Sequence, residues 1–398
     1  MVAEAQGSSS NVRAVDFGPY KIVRRLGIGG MAETFEALRC GPEDFTQRVC
    51  LKLVLSEFRE DKEFVRLFQR EARLAAKLRH GNIVGVLDFG SIDDTPYMAL
   101  ELVDGVDLLT LLVAEGKLPF DYVARLAIDI AKGLDHAHSP PASAGIDDSS
   151  TGLQGIVHRD LSPSNIMLSQ RGEIMLADFG VAKAMSGASR FEAPPSVILP
   201  DGRVRGKVPY MSPEQLRNEP LDGRSDLFAL GVVLYEALSG ERPFDGGFDP
   251  ATIMKILQGE HIPLHELARE APPEFCAIVD NLLATDRDAR PSTAGELLEQ
   301  LDDFAPSPRV QRELGAMVCK LHDCSSRRGD LEDEDALAQL RPRGGDAPAS
   351  GSRMKSEPPF GAAGQAADAT QNHNLQRWAL VAVAFVAVVA GIVAFAMQ

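Results

Sequence analysis

Residues 158–165 read HRDLSPSN, which sets an aspartate (Asp160) and an asparagine (Asn165) five positions apart behind a His-Arg pair, with Ser162 between them. Eight residues decide little alone, so the weight falls on what stands upstream. The segment LGIGGMAETFEA places Gly27, Gly29 and Gly30 between two strand-like runs, where the missing Cβ lets backbone amides approach phosphate oxygens. Glycine hairpins are common, and taken singly this one leaves an ordinary turn equally open. Lys52 ends the apolar run VCLK of the next strand-like stretch. A lysine pointing inward from such a strand needs an anionic partner, because burying it unpaired is costly. Glu71, on the helix that follows, is the candidate; two solvated surface charges are the plain alternative.

The flanking periodicities supply a frame. Strand-like runs cover 20–27, 32–39 and 48–55, and a helix is predicted over 62–79 with Val65, Phe68, Ala72 and Ala75 on one face. Two more strand-like runs end at YMALELV, residues 97–103. Helical spacing then dominates, at 121–138, 225–240, 251–259, 273–284 and 293–301. The expectation is an α+β, bilobal chain: a small β-rich lobe with one main helix (17–103), then a larger helical lobe (104–304). A ligand belongs in the cleft between two such lobes.

Taken in order, these segments resemble the bacterial serine/threonine protein kinases of eukaryotic-like (Hanks) type, over about residues 17–304. GIGGMAET matches the Gly-rich loop, Lys52 the strand lysine, Glu71 the helix glutamate and HRDLSPSN the catalytic loop. Asp178–Gly180 matches the metal-binding DFG turn and PYMSPE, Pro209–Glu214, the end of the activation segment. SDLFALG around Asp226 and DRDARPS around Arg290 match the large-lobe scaffold. The resemblance implies transfer of the ATP γ-phosphate to Ser/Thr hydroxyls of proteins, autophosphorylation included, with Mg²⁺ or alternatively Mn²⁺. It implies that Lys52, held by Glu71, anchors the α and β phosphates, that Asp178 and Asn165 take the metal ions, and that Asp160 accepts the hydroxyl proton. Gly27, Ile28, Gly29, Gly30 and Thr34 cover the nucleotide in this reading, while Cys50, Leu100, Glu101, Val103 and Met167 surround the adenine. Leu100 is the gatekeeper, and Glu101 and Val103 present backbone groups. His158 and Phe179 are expected to support the core, and Glu214 with Arg290 to form a buried ion pair.

Arg159 before the catalytic aspartate usually accompanies a phosphorylated activation segment. No threonine lies between Asp178 and Glu214, so Ser186, Ser189 and Ser196 are the acceptors, with Glu192 or Asp201 as alternative sources of negative charge. Three positions depart from the family. Ala32 replaces the third loop glycine, Ser162 replaces a lysine two residues after Asp160, and Lys207 replaces a threonine in the activation segment. The last two read as an exchange, with Lys207 reaching the γ-phosphate and Ser162 bonding to Asp160. A pseudokinase scaffold, binding nucleotide or partners without turnover, is the alternative. Tyrosine specificity is a weaker rival, since neither departure restores its residue patterns.

The rest of the chain bounds its setting. Net charge is −16 over 398 residues, with 57 acidic against 41 basic side chains, which argues against binding nucleic acid. Five scattered cysteines and no secretory signal fit a reduced compartment. Cys319, His322 and Cys324 match no zinc motif and read as a helix surface. Residues 1–16 read as a disordered tail, Ser139–Gly155 as an exposed loop insertion, and 305–377 as a flexible juxtamembrane linker, in which 309–323 has helical spacing and is a candidate cap on the preceding domain. Trp378–Met397 is uncharged. As a helix it spans roughly 30 Å at about 1.5 Å per residue, the thickness of a bilayer core. Arg341, Arg343, Arg353, Lys355 and Arg377 precede it, which predicts a single-pass inner-membrane tail anchor with the kinase domain facing the cytoplasm. Autophosphorylation leaves room for a transient dimer.

Overall fold

Alternating apolar residues build the first lobe as an antiparallel sheet in the computed structural model, which describes residues 15–43, 45–139, 155–179, 197–198, 204–205 and 207–329. The strands are β1 (Val15–Phe17), β2 (Tyr20–Ile28), β3 (Ala32–Cys40), β4 (Thr46–Val54), β5 (Val86–Ile92) and β6 (Thr95–Glu101), in the order β1-β2-β3-β4-β6-β5. One face gathers Tyr20, Ile22, Phe35, Ala37, Val49, Leu51 and Leu53 into a closed cluster. Against the other face packs α1 (Lys62–Ala75), whose Phe68 and Ala72 join Val54, Met98 and Leu100. Asp61 caps α1 by accepting from the Glu63 and Phe64 amides. The helix stops short of the expected 79 because Leu78 N–H turns back to Ala75 O (3.0 Å) and buries its side chain.

The second lobe starts with β7 (Gly105–Asp107) and α2 (Leu108–Glu115), followed by α3 (Phe120–His138). β8 (Ile166–Ser169) and β9 (Ile174–Leu176) form a hairpin that pairs with β7. Then come α4 (Pro213–Leu216), α5 (Gly223–Ser239), α6 (Asp249–Gln258), α7 (Leu264–Leu267), α8 (Pro273–Leu282), α9 (Ala294–Leu301) and α10 (Pro308–Gly329). Every residue of α5 from Ser225 to Leu238 is buried, the signature of a helix enclosed on all sides. Gly231 of α5 is needed for that enclosure, since a Cβ there would come within 2.7 Å of the Leu282 Cβ.

The bilobal α+β expectation therefore holds, and one boundary is corrected. Residues 308–329 of the expected linker form α10, which buries Val310, Leu314 and Val318 in the second lobe. The described residues all belong to one compact unit, 1–342. The N-terminal tail to residue 14, most of the 139–155 insertion, Gly180, Ser186, Ser189, Glu192, Ser196, Asp201, the chain from 330 on and the apolar run 378–397 lie outside the described residues. Among the described residues, no helix is long and apolar enough to cross a membrane.

Candidate active site

The glycine turn between β2 and β3 closes with Gly29 N–H donating to Ala32 O (2.8 Å), while Thr34 Oγ1 donates to Gly27 O (3.3 Å). Ala32 is buried, sits outside the left-handed region and pairs with Val54, so this position does not require glycine. Ile28 is exposed at the tip of the turn. Next to Thr34 in the sheet, β4 carries Lys52. Its ammonium donates to Asp178 Oδ1 at 2.8 Å, a pair linking strand and hairpin across 126 residues of chain. Burial disfavours the charge on Lys52, but Asp178 and then Glu71 outweigh it and hold its pKa above the ordinary value. Asp178 shows the mirror image: burial opposes its ionisation, and Lys52 and Lys207 hold its carboxyl below the usual range. The Asp178 side chain remains 38% exposed, so it is an anion that faces the cleft.

The catalytic loop is suspended from α5. Asp226 Oδ2 accepts from the His158 amide (2.7 Å) and Oδ1 from the Arg159 amide (2.8 Å), while His138 Nε2 lies 2.8 Å from Oδ2. Arg159 is held at φ +64 and Asp178 at φ +56, left-handed values that a non-glycine residue adopts only under constraint. His158 Nδ1 accepts from the Asp160 amide (3.3 Å), which leaves Nε2–H to donate to Ala177 O (3.0 Å). Burial lowers its pKa, so the ring stays neutral in that tautomer, 4.6 Å from the Phe179 ring. Both side chains support the core, as expected.

Asn165 Nδ2 donates to Asp160 O (2.7 Å) and to Asp160 Oδ2 (3.0 Å), which leaves its amide oxygen as the atom to meet a cation. Ala177 N–H donates to Asn165 O (2.9 Å), tying the residue before Asp178 to the catalytic loop. The Lys207 ammonium donates to Asp160 Oδ2. The expected bond from Ser162 to Asp160 is corrected: the Ser162 hydroxyl pairs with that of Ser164 (3.1 Å). Its backbone is extended at the entry to the Pro163–Asn165 turn, which brings Ser164 beneath it, and Asp160 already receives Asn165 and Lys207.

On the side of the cleft where the sequence reading expects the adenine, Cys50 pairs with Leu100 and Val49 with Glu101, and Glu101 N–H donates to Gly85 O (2.9 Å). Cys50, Leu100, Val103 and Met167 share one apolar cluster with Met98 and Met175. Burial, then the charge of Asp178, pushes the Cys50 thiol up to about 12. Among the described residues, no group of three or more His, Cys, Asp or Glu forms a metal cage. The Asn165–Asp178 pair instead suits a cation that completes its shell with phosphate and water oxygens.

Several supporting contacts were not named from sequence. Gln215 Nε2 donates to Arg159 O (2.9 Å), and Arg48 bridges Glu36 (2.9 Å) and Asp104 (2.8 Å) beside Val103. The Glu214–Arg290 pair is present as expected, at 2.8 Å with side chains 2% and 0% exposed. Arg159 Nε is buried with no hydrogen-bond partner among the described residues.

The protein kinase domain family model matches residues 20–301. The tyrosine-protein kinase MasK of Myxococcus xanthus is 40% identical over 292 residues, covering 72% of this chain and 43% of that protein. The serine/threonine-protein kinase PrkC of Bacillus subtilis is 36% identical over 245 residues, covering 61% and 34%. The chain thus spans less than half the length of these curated relatives. A crystal structure of the Mycobacterium tuberculosis PknI kinase domain superposes with a TM-score of 0.52 at 26% identity, covering 73% of this chain and 98% of that one. With the family model spanning both lobes and every element of the site, the chain belongs to the protein kinase family.

Proposed function

We propose that this chain is a membrane-tethered protein kinase that transfers the γ-phosphate of ATP to serine and threonine hydroxyls of proteins, itself included. One constellation carries the reading: Lys52 on Asp178 at 2.8 Å beneath a glycine turn, beside Asn165 on Asp160 at 3.0 Å. An ammonium, a cleft-facing carboxylate and an oriented amide oxygen fit Mg·ATP, which when bound supplies the phosphoryl group and the divalent charge that neutralises it. The same oxygen ligands suit Mn²⁺. Lys52 and the turn amides hold phosphate oxygens, and Asp160 orients the incoming hydroxyl and accepts its proton. Apolar Cys50, Leu100, Val103 and Met167 exclude water around the base.

Lys207 replaces the missing catalytic-loop lysine in this proposal, delivered from the activation segment; its contact with Asp160 supports that placement. Lys207→Thr then loses most turnover, and adding Ser162→Lys recovers part of it. Full activity in Lys207→Thr alone overturns this role. The buried Arg159 Nε, without a hydrogen-bond partner among the described residues, supports phosphorylation at Ser186, Ser189 or Ser196, which phosphopeptide mapping of active protein tests.

A second reading, tyrosine transfer, is favoured by the name of the Myxococcus relative. Phosphoamino-acid analysis of the autophosphorylated protein separates the two: phosphoserine supports the proposal, and phosphotyrosine alone overturns it. The pseudokinase alternative is opposed by the presence of Lys52, Glu71, Asp160, Asn165 and Asp178 together. Residues 378–397 carry the membrane part of the proposal, with the kinase domain cytoplasmic, and transient dimers serve autophosphorylation. Fractionation of cells with and without that segment tests the anchor.

A further inference from the structure

Helix α10 lies beyond the 20–301 span of the family match, yet it grips the hairpin that carries the metal-facing residues. β8 begins directly after Asn165, and β9 ends two residues before Asp178. The turn between them, 170–172, runs along three turns of α10. Gln311 Nε2 donates to Arg171 O (3.3 Å), Cys319 Sγ lies 3.8 Å from Gln170 O, and Gln170 Nε2 meets His322 Nδ1 at 2.9 Å. Backbone meets backbone at two glycines. A Cβ on Gly172, held at φ +74, would lie 1.8 Å from Gln311 O, and one on Gly315 would lie 2.6 Å from Gln170 O and 2.9 Å from Gly172 N. Neither neighbour is a flexible side-chain end, so any larger residue must displace the turn or the helix.

We propose that α10 is a strap belonging to the catalytic unit, and that Gly172 and Gly315 are positioning residues that set the separation of Asn165 and Asp178 for metal-nucleotide binding. The inference rests on the reading of those two residues as the metal-facing pair. The strap meets the hairpin at its turn, whereas Met167 of the adenine cluster lies inside β8 and is held by pairing with Asp107 and Met175. Although Gln170 N–H also donates to Asp104 O (2.8 Å), Asp104 is independently fixed to the first lobe by Arg48 (2.8 Å).

Gly315→Ala in the full chain is the direct test, because alanine is the better helix former and only the docking is perturbed. The readouts are the Mg²⁺ concentration giving half-maximal binding of a fluorescent ADP analogue, and adenosine affinity without metal. The expected result is a rise in the half-maximal Mg²⁺ of about fivefold, with adenosine affinity unchanged within about twofold. His322→Ala, which removes the tie to Gln170, shifts Mg²⁺ dependence in the same direction by about twofold, and it decides the matter should Gly315→Ala not fold. Unchanged Mg²⁺ dependence in the folded variants, or equal losses for adenosine and Mg·ADP, overturns the strap. Wild-type protein that binds no Mg·ADP overturns instead the kinase reading beneath it.

Discussion

Asp226 offers the sharpest structural prediction, because one carboxylate that is 1% exposed holds the catalytic loop in its strained form. It receives the His158 and Arg159 amides at 2.7 and 2.8 Å and His138 at 2.8 Å. Arg159 sits at φ +64, a left-handed conformation that costs a non-glycine residue about 1–2 kcal/mol, so the loop relaxes unless those bonds persist. Asp226→Asn is nearly isosteric but turns one acceptor into a donor facing donors. A hydrogen bond to a charged group contributes about 1.5–3 kcal/mol, and leaving a buried amide unsatisfied costs about 1–3 kcal/mol. Because these overlap, the expected loss by urea unfolding at pH 7 is about 2–4 kcal/mol. A loosened Asp160 lowers kcat by about tenfold to a hundredfold. The pH dependence has a definite sign. Burial opposes ionisation of Asp226, but His138 and His158 outweigh it and leave the folded pKa below the ordinary value. Its contribution is thus full above the unfolded pKa of about 3.9 and fades as pH falls through the folded pKa. The difference between variant and wild type stays level from about pH 5 upward and narrows below about pH 4. A loss under about 0.5 kcal/mol together with unchanged kcat refutes the reasoning.

Other perturbations test other parts. Arg290→Ala leaves Glu214 buried without its cation and costs about 3–5 kcal/mol; Arg290→Lys, which keeps the charge but not the two-nitrogen grip, loses less in the same urea titration. Lys52→Ala removes the cation 2.8 Å from Asp178 and lowers kcat/KM for ATP by about a hundredfold or more, read by steady-state assay. With its thiol pushed up to about 12, Cys50 stays unalkylated by iodoacetamide at pH 8 in native protein, and peptide mapping finds the label on half-buried Cys40 before Cys50.

Much of this was legible in the sequence, for identifiable reasons. The period-two runs through β2, β3 and β4 and the acid-capped helix α1 are local signals, and the motif residues follow the chain in order. What escaped is tertiary. Lys52 and Asp178 were both named, but their direct bond depends on a lobe-to-lobe approach that no local pattern encodes. Ser162 faces Ser164 because a tight turn intervenes, not because of its position relative to Asp160. The short helix α2 hid in the run DLLTLLV, whose apolar density suits strand or helix alike, although its Asp107 cap on the Thr110 amide (2.6 Å) was a readable start signal. The helical spacing of 309–323 was legible inside the expected linker, but the docking of α10 depends on Gly172, more than a hundred residues away.

The most direct test of the central claim compares wild type with Asp160→Asn for transfer of the γ-phosphate from Mg·ATP, alongside Mg·ADP affinity. The account predicts turnover in wild type, a loss of about 10²–10⁴-fold in the variant and retained Mg·ADP binding in both. No transfer by wild-type protein that binds Mg·ADP, or equal transfer by both proteins, contradicts it.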